Sequence, residues 1–569
     1  MDIKAKNFII LFSVSAILLA IFFVFYFFLQ LNSTAFVMSS GDVTVYLQSY
    51  YNFYNGRPFQ NTTATECASF INPYPYINIL VWHSYFLTSV VISAVYYFFP
   101  DINTLFLFYI LFDYIGIAYF TYKILKILSF SDYKLKTLLA VSIFAISGYL
   151  RIIVANGIPS QIVGPFILAA YYFLIDNKKL PFIITTILIC LIQDDLALFI
   201  ITFALYIIIF EKQYRSYVYI PAVFAVIYFG VWSLLCQPAI RHDFINHHSS
   251  QLLFRLSAIK SIDPIIEMFR QPIRATASIF APAMLYIVSG CIFYFYFDRM
   301  KKMYWLKILG LALIAPFFHF AYTVYTYADR HATVMFTIDY LILILFISNI
   351  NFNIKLKSNI PLYIYLNSVF FSFIIINFLY LGGLPYTLKN HTYWADKVET
   401  LVKSFGIDLY LKRNNIEKER VSNKFVIDAM KKIPIQSSVV YWTNDTLEGF
   451  IVNRNDIWRF PMYYDLADYL IIQTDATSSI YQVKTKDDLN YKIPGVQDKQ
   501  AYNFERDWSI PKSIVDEIKD DLVNKLKTHS VKYEGEHLLI IERINKYNFF
   551  MPESSLGLGW IKYIKMYTL

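Results

Sequence analysis

Residues Ile77–Phe99 read INILVWHSYFLTSVVISAVYYFF, and the side of the bilayer assigned to everything after them turns on this stretch. It is long and apolar enough to span. Counted as a span, it puts the basic loops after Leu125 outside. Laid in the outer interface, or re-entering it, it leaves one side holding Lys4, Lys6, Lys123, Lys126, Lys134, Lys136, Lys178, Lys179, Lys212, Arg215, Arg299, Lys301, Lys302, Lys355 and Lys357. Cytoplasmic loops are enriched in Lys and Arg, so that side is the cytoplasm and Ile77–Phe99 is expected to be interfacial or re-entrant.

Around this stretch lie apolar segments at Phe8–Leu29, Leu105–Leu125, Thr137–Val154, Ile158–Ile175, Pro181–Ile192, Leu196–Phe210, Tyr217–Cys236, Ile273–Phe297, Tyr304–Tyr325, Ala332–Ile350 and Pro361–Leu381. The sequence thus predicts an α-helical polytopic membrane protein with about eleven transmembrane helices. Pro181–Phe210 could form one tilted helix, but Gln193-Asp194-Asp195 interrupts it. Acids at the bilayer centre cost about 2.5–3.5 kcal/mol each on insertion scales, so a break at the surface is expected there.

Composition agrees. The chain is 57% hydrophobic and 16% charged, against about 25% charged in a soluble domain. The net charge of +9 is a topology signal, not a sign of nucleic-acid binding. The cysteines Cys67, Cys190, Cys236 and Cys291 contain no C-x-x-C pair, so they indicate neither a disulfide framework nor a zinc site. Phe8–Leu29, preceded by Lys4 and Lys6, is too long for a typical signal peptide and reads as an uncleaved anchor with a cytoplasmic N-terminus. No G-x-x-x-x-G-K-[ST] or G-x-G-x-x-G motif marks a nucleotide site.

This topology gathers the remaining polar features on the extracytoplasmic face: Asp42 and its loop, His83, Asn156, Gln193-Asp194-Asp195, Arg241-His242-Asp243 and Asp329-Arg330-His331. Asp42 can take a proton from an acceptor hydroxyl or hold a divalent cation, Mg or Mn; it can also be a solvated loop acid or a helix cap. Asp194 and Asp195 open the helix at Leu196, where capping accounts for one acid and leaves the other for a metal or an Arg partner. Arg241-His242 and Arg330-His331 are candidate clamps for a lipid phosphate, against ordinary snorkelling to head groups. His83 among aromatics reads as a packing residue. Asp113 and Asp339 sit inside spans, where a helix-packing hydrogen bond is the commoner role for a lone acid.

After Leu381 the composition becomes charged and no spanning segment follows. Residues 382–569 are expected to form an extracytoplasmic linker and a small α/β domain, after a transmembrane domain over 1–381 whose first outer loop is 30–104. Ser438–Trp442, Tyr469–Gln473 and His537–Ile544 read as strands. Val421, Phe425, Ala429 and Met430 make one helical stripe, and Ile514, Ile518, Leu522 and Leu526 another.

Gly41–Phe59, GDVTVYLQSYYNFYNGRPF, resembles without a gap the signature of the prokaryotic polytopic family known as domain of unknown function 2079. That signature runs F-D-x-G-x-F-D-Q-x-x-W-N-x-x-x-G-R-P-F. Asp42, Gln48, Asn52, Gly56, Arg57, Pro58 and Phe59 match it, with Tyr46 and Tyr51 for aromatics. The family's His before an apolar stretch ending in Phe-Pro resembles His83 and Phe99-Pro100. Its K-E-D-L-A-L resembles Gln193 through Leu198, and its C-terminal block resembles Ile433-Pro434, Ser438-Val439, Arg454, Pro461 and Asp468-Tyr469. The chain departs from the pattern at Gly41, at Leu47 in place of the second Asp, at Gln193 in place of Lys, and at Ile158-Pro159-Ser160 in place of H-P-E.

The family is itself similar to the GT-C glycosyltransferases. That resemblance implies transfer of a sugar from a polyprenyl-phosphate donor to a glycan, lipid or protein acceptor at the outer face of the cell membrane. By it, Asp42 is the catalytic base, and Gln48, Asn52, Arg57, His83, Asp194, Asp195, Arg241, Arg330 and His331 are substrate-binding. Asp42, Asp194 and Asp195 are the candidate metal ligands. Two other classes stay open: a lipid or solute transporter using Asp113 and Asp339, and a non-catalytic membrane receptor or scaffold built around the outer domain.

Overall fold

The structure is a computed structural model. It describes residues 3–34, 46–48, 50–52, 60–61, 77–78, 86–99, 102–129, 132–145, 159–193, 196–231, 307–308, 310–311, 332–349, 425–443, 457–459, 464, 467–474 and 512–545. The described residues are mostly helical, with a small C-terminal sheet.

Helix α1 runs Ile3–Thr34, α2 Phe86–Phe98, α3 Ile102–Leu128, α4 Tyr133–Ala145, α5 Val163–Ile175, α6 Lys179–Ile192, α7 Leu196–Phe210, α8 Arg215–Ile227 and α9 Ala332–Asn349. Two helices among the described residues are long and apolar enough to cross a bilayer, Leu107–Leu128 and Lys212–Val231; five further apolar helices are shorter. The expected spans at Ile273–Phe297 and Pro361–Leu381, and most of Tyr304–Tyr325, lie outside the described residues.

The stretch Ile77–Phe99 does not run as one helix. Ile77–Asn78 pairs antiparallel with Gln60–Asn61, as strands β2 and β1, and α2 begins only at Phe86. Its 13 residues make a rod of about 20 Å, short of a hydrocarbon core of about 30 Å. The expected break before Leu196 is present, since α6 ends at Ile192 and α7 starts at Leu196.

Helix α9 is the hub. It packs on α3, α4 and α5, and nearly every described side chain from Thr333 to Ser348 is buried. A helix apolar all round is buried all round. The outer helices invert this. Leu11, Val14, Leu18 and Ile21 form an exposed apolar stripe on α1; Leu107, Leu111, Ile115 and Tyr119 form one on α3; Tyr219, Ile220, Val223, Val226 and Ile227 form one on α8. Their helical spacing makes each a continuous apolar face turned outward. Close approach is built in where α3 meets α5: a Cβ on Gly116 would stand 2.7 Å from Cβ of Pro165.

The C-terminal sheet has the order β4-β3-β5-β7-β6, with β3 Val439–Trp442, β4 Ile457–Arg459, β5 Tyr469–Gln473, β6 His529–Glu534 and β7 Leu538–Arg543. Strands β4, β3 and β5 are parallel; β5–β7 and β7–β6 are antiparallel. The period-two alternation splits its buried residues into two layers. Val439, Tyr441, Tyr469, Ile471, Leu538 and Ile540 join a core with Val426, Met430 and Ile433. Val440, Trp442, Leu470, Ile472, Leu539 and Ile541 pack with Val515, Ile518 and Leu522 of the helix that begins at Lys512.

Two expected stripes shift. Val426 and Met430 are buried while Phe425 is exposed, and Val515, Ile518 and Leu522 are buried while Leu526 is 57% exposed. The helix from Lys512 passes into a π-helical turn at Asp520–Lys525, which rotates Leu526 off the buried face.

Candidate functional site

The two ends of the bundle are chemically different, and aromatic pairs fix which residues share an end. Helices α5 and α6 form an antiparallel hairpin across Asp176–Lys178. Asn177 takes a left-handed backbone with φ 57°, a conformation that Asn tolerates better than most residues. Helix α3 runs alongside α5 in the same direction, with Phe112 against Phe166 at 6.0 Å and Phe120 against Tyr172 at 6.1 Å. Helix α4 returns along α3, with Tyr122 near Tyr133 and Tyr114 near Phe144. Helix α9 returns along α4, since Tyr340 meets Phe144 and Lys136 reaches Ser348.

One end is therefore basic. Lys178 Nζ lies 2.8 Å from Asp176 Oδ2 and holds that carboxyl below its ordinary range, with Lys123 adding to the effect. Lys179 lies over the Tyr217 ring, and Tyr217 donates to the Asn177 carbonyl at 3.3 Å. Arg215 Nε donates to the Ile208 carbonyl at 2.8 Å, Lys307 pairs with Glu211 at 2.9 Å, and Lys136 Nζ donates to the Ser348 carbonyl at 2.8 Å. Lys136 thus supplies a donor to the last turn of α9, where carbonyls lack helical partners.

Among the described residues, the opposite end is rich in buried amides. Residues 46–48 and 50–52 form a helical turn of the first loop, and Gln48 and Asn52, one helical turn apart, are 0% and 1% exposed. Tyr46, Leu47 and Tyr50 are also buried. The Tyr50 ring lies 6.4 Å from Tyr96 of α2. Tyr109 of α3 lies within electrostatic reach of Tyr50, Tyr46 and Asp113. This half of the loop is therefore wedged into the bundle. Leu47, which stands where the resembled signature has an acid, belongs to the apolar core.

Beside it, the 3-10 turn Pro159–Ile162 touches α2, α3 and α6. Gln161 on that turn is 0% exposed and Gln193 at the end of α6 is 2% exposed. Counted from the hairpin turn, the two are level. Thr88 of α2 donates to the Ile192 carbonyl at 3.4 Å, which ties α2 to the same place. Among the described residues, the buried Gln193 Oε1 has no hydrogen-bond partner.

Of the expected site residues, the structure describes Gln48 and Asn52 and buries both. Asp42, Arg57, His83, Asp194, Asp195, Arg241, Arg330 and His331 lie outside the described residues. Among the described residues, no three His, Cys, Asp or Glu side chains gather as a cation site. Asp113 and Asp339 are buried within α3 and α9, with Thr121 and Tyr340 hydrogen-bonded between those helices at 3.1 Å. Gln161 and Thr88 were not singled out by sequence. Gln161 follows directly on the Ile158-Pro159-Ser160 departure, which was its one signal.

In the C-terminal domain two residues of the resembled block meet. Ser438 N–H donates to Asp468 Oδ2 at 2.9 Å, and Asp468 N–H donates to Ser438 Oγ at 2.8 Å. They fix where β3 and β5 begin. No family model matches the chain, and no curated protein matches it in sequence.

Proposed function

We propose that the chain is a GT-C-like membrane glycosyltransferase with about eleven spanning helices, which moves a sugar from a polyprenyl-phosphate donor to an acceptor at the extracytoplasmic face of the cell membrane. The observation that carries this reading is the wedging of residues 46–48 and 50–52, with Gln48 and Asn52 buried, into the amide-rich end of the bundle. Asp42 lies four residues from Tyr46, so the chain can carry it no more than about 14 Å away. Asp194 follows Gln193 directly, and His331 precedes Ala332 directly. The outward apolar stripes on α1, α3 and α8 favour a lipid surround. The lysines and arginines of the opposite end favour a cytoplasmic location for it.

In the reaction, the acceptor hydroxyl oxygen attacks the anomeric carbon of the donor. The bond from that carbon to the phosphate oxygen breaks, and its electron pair leaves with polyprenyl phosphate. The hydroxyl proton passes to the Asp42 carboxylate acting as general base. Arg330, His331 and Arg241 stabilise charge developing on the leaving phosphate. Gln48, Asn52, Arg57 and His83 line the substrate path. Asp194 and Asp195 orient the acceptor or bind a divalent cation, and the C-terminal α/β domain presents the acceptor.

The test is Asp42→Asn in native membranes. Transfer of labelled sugar is expected to disappear with the protein level unchanged. Retained transfer removes Asp42 from the mechanism.

A further inference from the structure

The group that stands out at the amide-rich end is Gln193. It is 2% exposed, it caps α6 in extended backbone, and among the described residues its Oε1 has no hydrogen-bond partner. Burying an unpaired polar atom is unfavourable, and a well-packed apolar side chain of the same shape would avoid that loss. Water is one way to meet such a need, and a ligand is the other. The position is level with a second buried amide, Gln161, and the Thr88 bond to Ile192 pins α2 beside both.

The chemistry of an amide limits the ligand. An amide presents one acceptor oxygen and one donor NH2 and carries no charge. A phosphate oxygen satisfies only the donor. A hydroxyl satisfies either, and neighbouring ring hydroxyls of a sugar can meet both atoms of one amide. A site built to hydrogen-bond a hydroxyl also rejects ligands that lack it.

We propose that Gln193, with Gln161 beside it and Thr88 holding α2 in place, is a recognition pocket for the hydroxyls of a glycosyl group and sets which sugar the protein accepts. This rests on the reading of the chain as a polyprenyl-phosphate-sugar transferase and names the part of that substrate this end of the bundle holds. Gln193 acts as a specificity-determining residue, separate from any group that binds phosphate.

The test uses the full-length protein in detergent, with farnesyl phosphate and farnesyl phosphate carrying glucose, mannose or arabinose as probes. Wild type is expected to bind at least one sugar-bearing probe about tenfold or more tighter than bare farnesyl phosphate, the discrimination one hydrogen bond of about 1.4 kcal/mol supplies. Gln193→Met is expected to lose that preference, to bind bare farnesyl phosphate as wild type does, and to melt no lower than wild type without ligand. Gln161→Met, a second variant at the same end, is expected to narrow the preference as well.

A Gln193→Met protein that keeps the sugar preference, or weakens both kinds of probe equally, overturns the proposal. So does a wild-type protein that binds bare and sugar-bearing probes equally. That last result leaves the lipid-phosphate reading standing, whereas binding of neither probe overturns both.

Discussion

At the basic end of the bundle, charged groups have partners: Lys178 with Asp176, Lys307 with Glu211, Arg215 with the Ile208 carbonyl, Lys136 with the Ser348 carbonyl. At the amide-rich end, Gln193 is buried with its amide oxygen unpaired among the described residues, and a first-loop turn carrying Gln48 and Asn52 is wedged between helices. The pairs at the basic end tie neighbouring segments together and read as architecture. At the other, an unpaired buried amide costs stability, a cost that the proposed sugar site would offset on binding.

The largest expected effect is that of losing the proposed general base. Asp42→Asn should lower transfer by about 10²–10⁴-fold, the usual contribution of a general base, measured as labelled product per protein. It should leave the melting temperature within error of wild type. At the basic end the signs reverse. Lys136→Met should destabilise the protein by about 1–3 kcal/mol, because the Ser348 carbonyl loses its donor in a buried place; denaturant or thermal melts would read this. Gly116→Val should cost about 1–3 kcal/mol by pushing α3 off Pro165, read the same way.

The smallest effect is expected away from both ends. In the C-terminal domain, Lys532 Nζ lies 2.9 Å from Glu542 Oε2, and Glu542 raises the lysine above its ordinary value of 10.5. Raised in the folded state, the lysine adds stability that is fully present below its unfolded value and is lost as pH climbs through the folded one. Stability should therefore fall above about pH 10.5 less steeply in Lys532→Met than in wild type. The pair is half exposed, so the difference should stay below about 1 kcal/mol.

Much of the helical fold was legible because its apolar runs end on polar breaks. Helix α7 occupies Leu196–Phe210, the run bounded by Asp195 and Glu211, and α9 ends one residue before the expected Ile350. Strands β3, β5 and β7 were readable as short apolar runs. Strand β4 has only three residues, and β6, HSVKYE, exposes most of its side chains at the sheet edge, so neither carried the pattern. Composition alone would make Ile77–Phe99 a span; the charge pattern points instead to an interfacial or re-entrant stretch, but neither can show that it opens in a strand pair.

The candidate site was legible only in part. Gln48 and Asn52 were found through a motif, but nothing in a motif says that they are buried. Gln161 and Gln193 are 32 positions apart, from 161 to 193, and come to one level only because the α5–α6 hairpin folds at Asp176–Lys178. Uncharged amides also leave no charge pattern for a sequence to display.

The most direct measurement of the central claim is incubation of purified full-length protein with a panel of labelled polyprenyl-phosphate sugars, following release of polyprenyl phosphate. The account predicts transfer or slow hydrolysis of at least one donor by wild type and none by Asp42→Asn. Equal turnover by the two proteins, or no turnover of any donor by well-folded wild type in lipid, would contradict it.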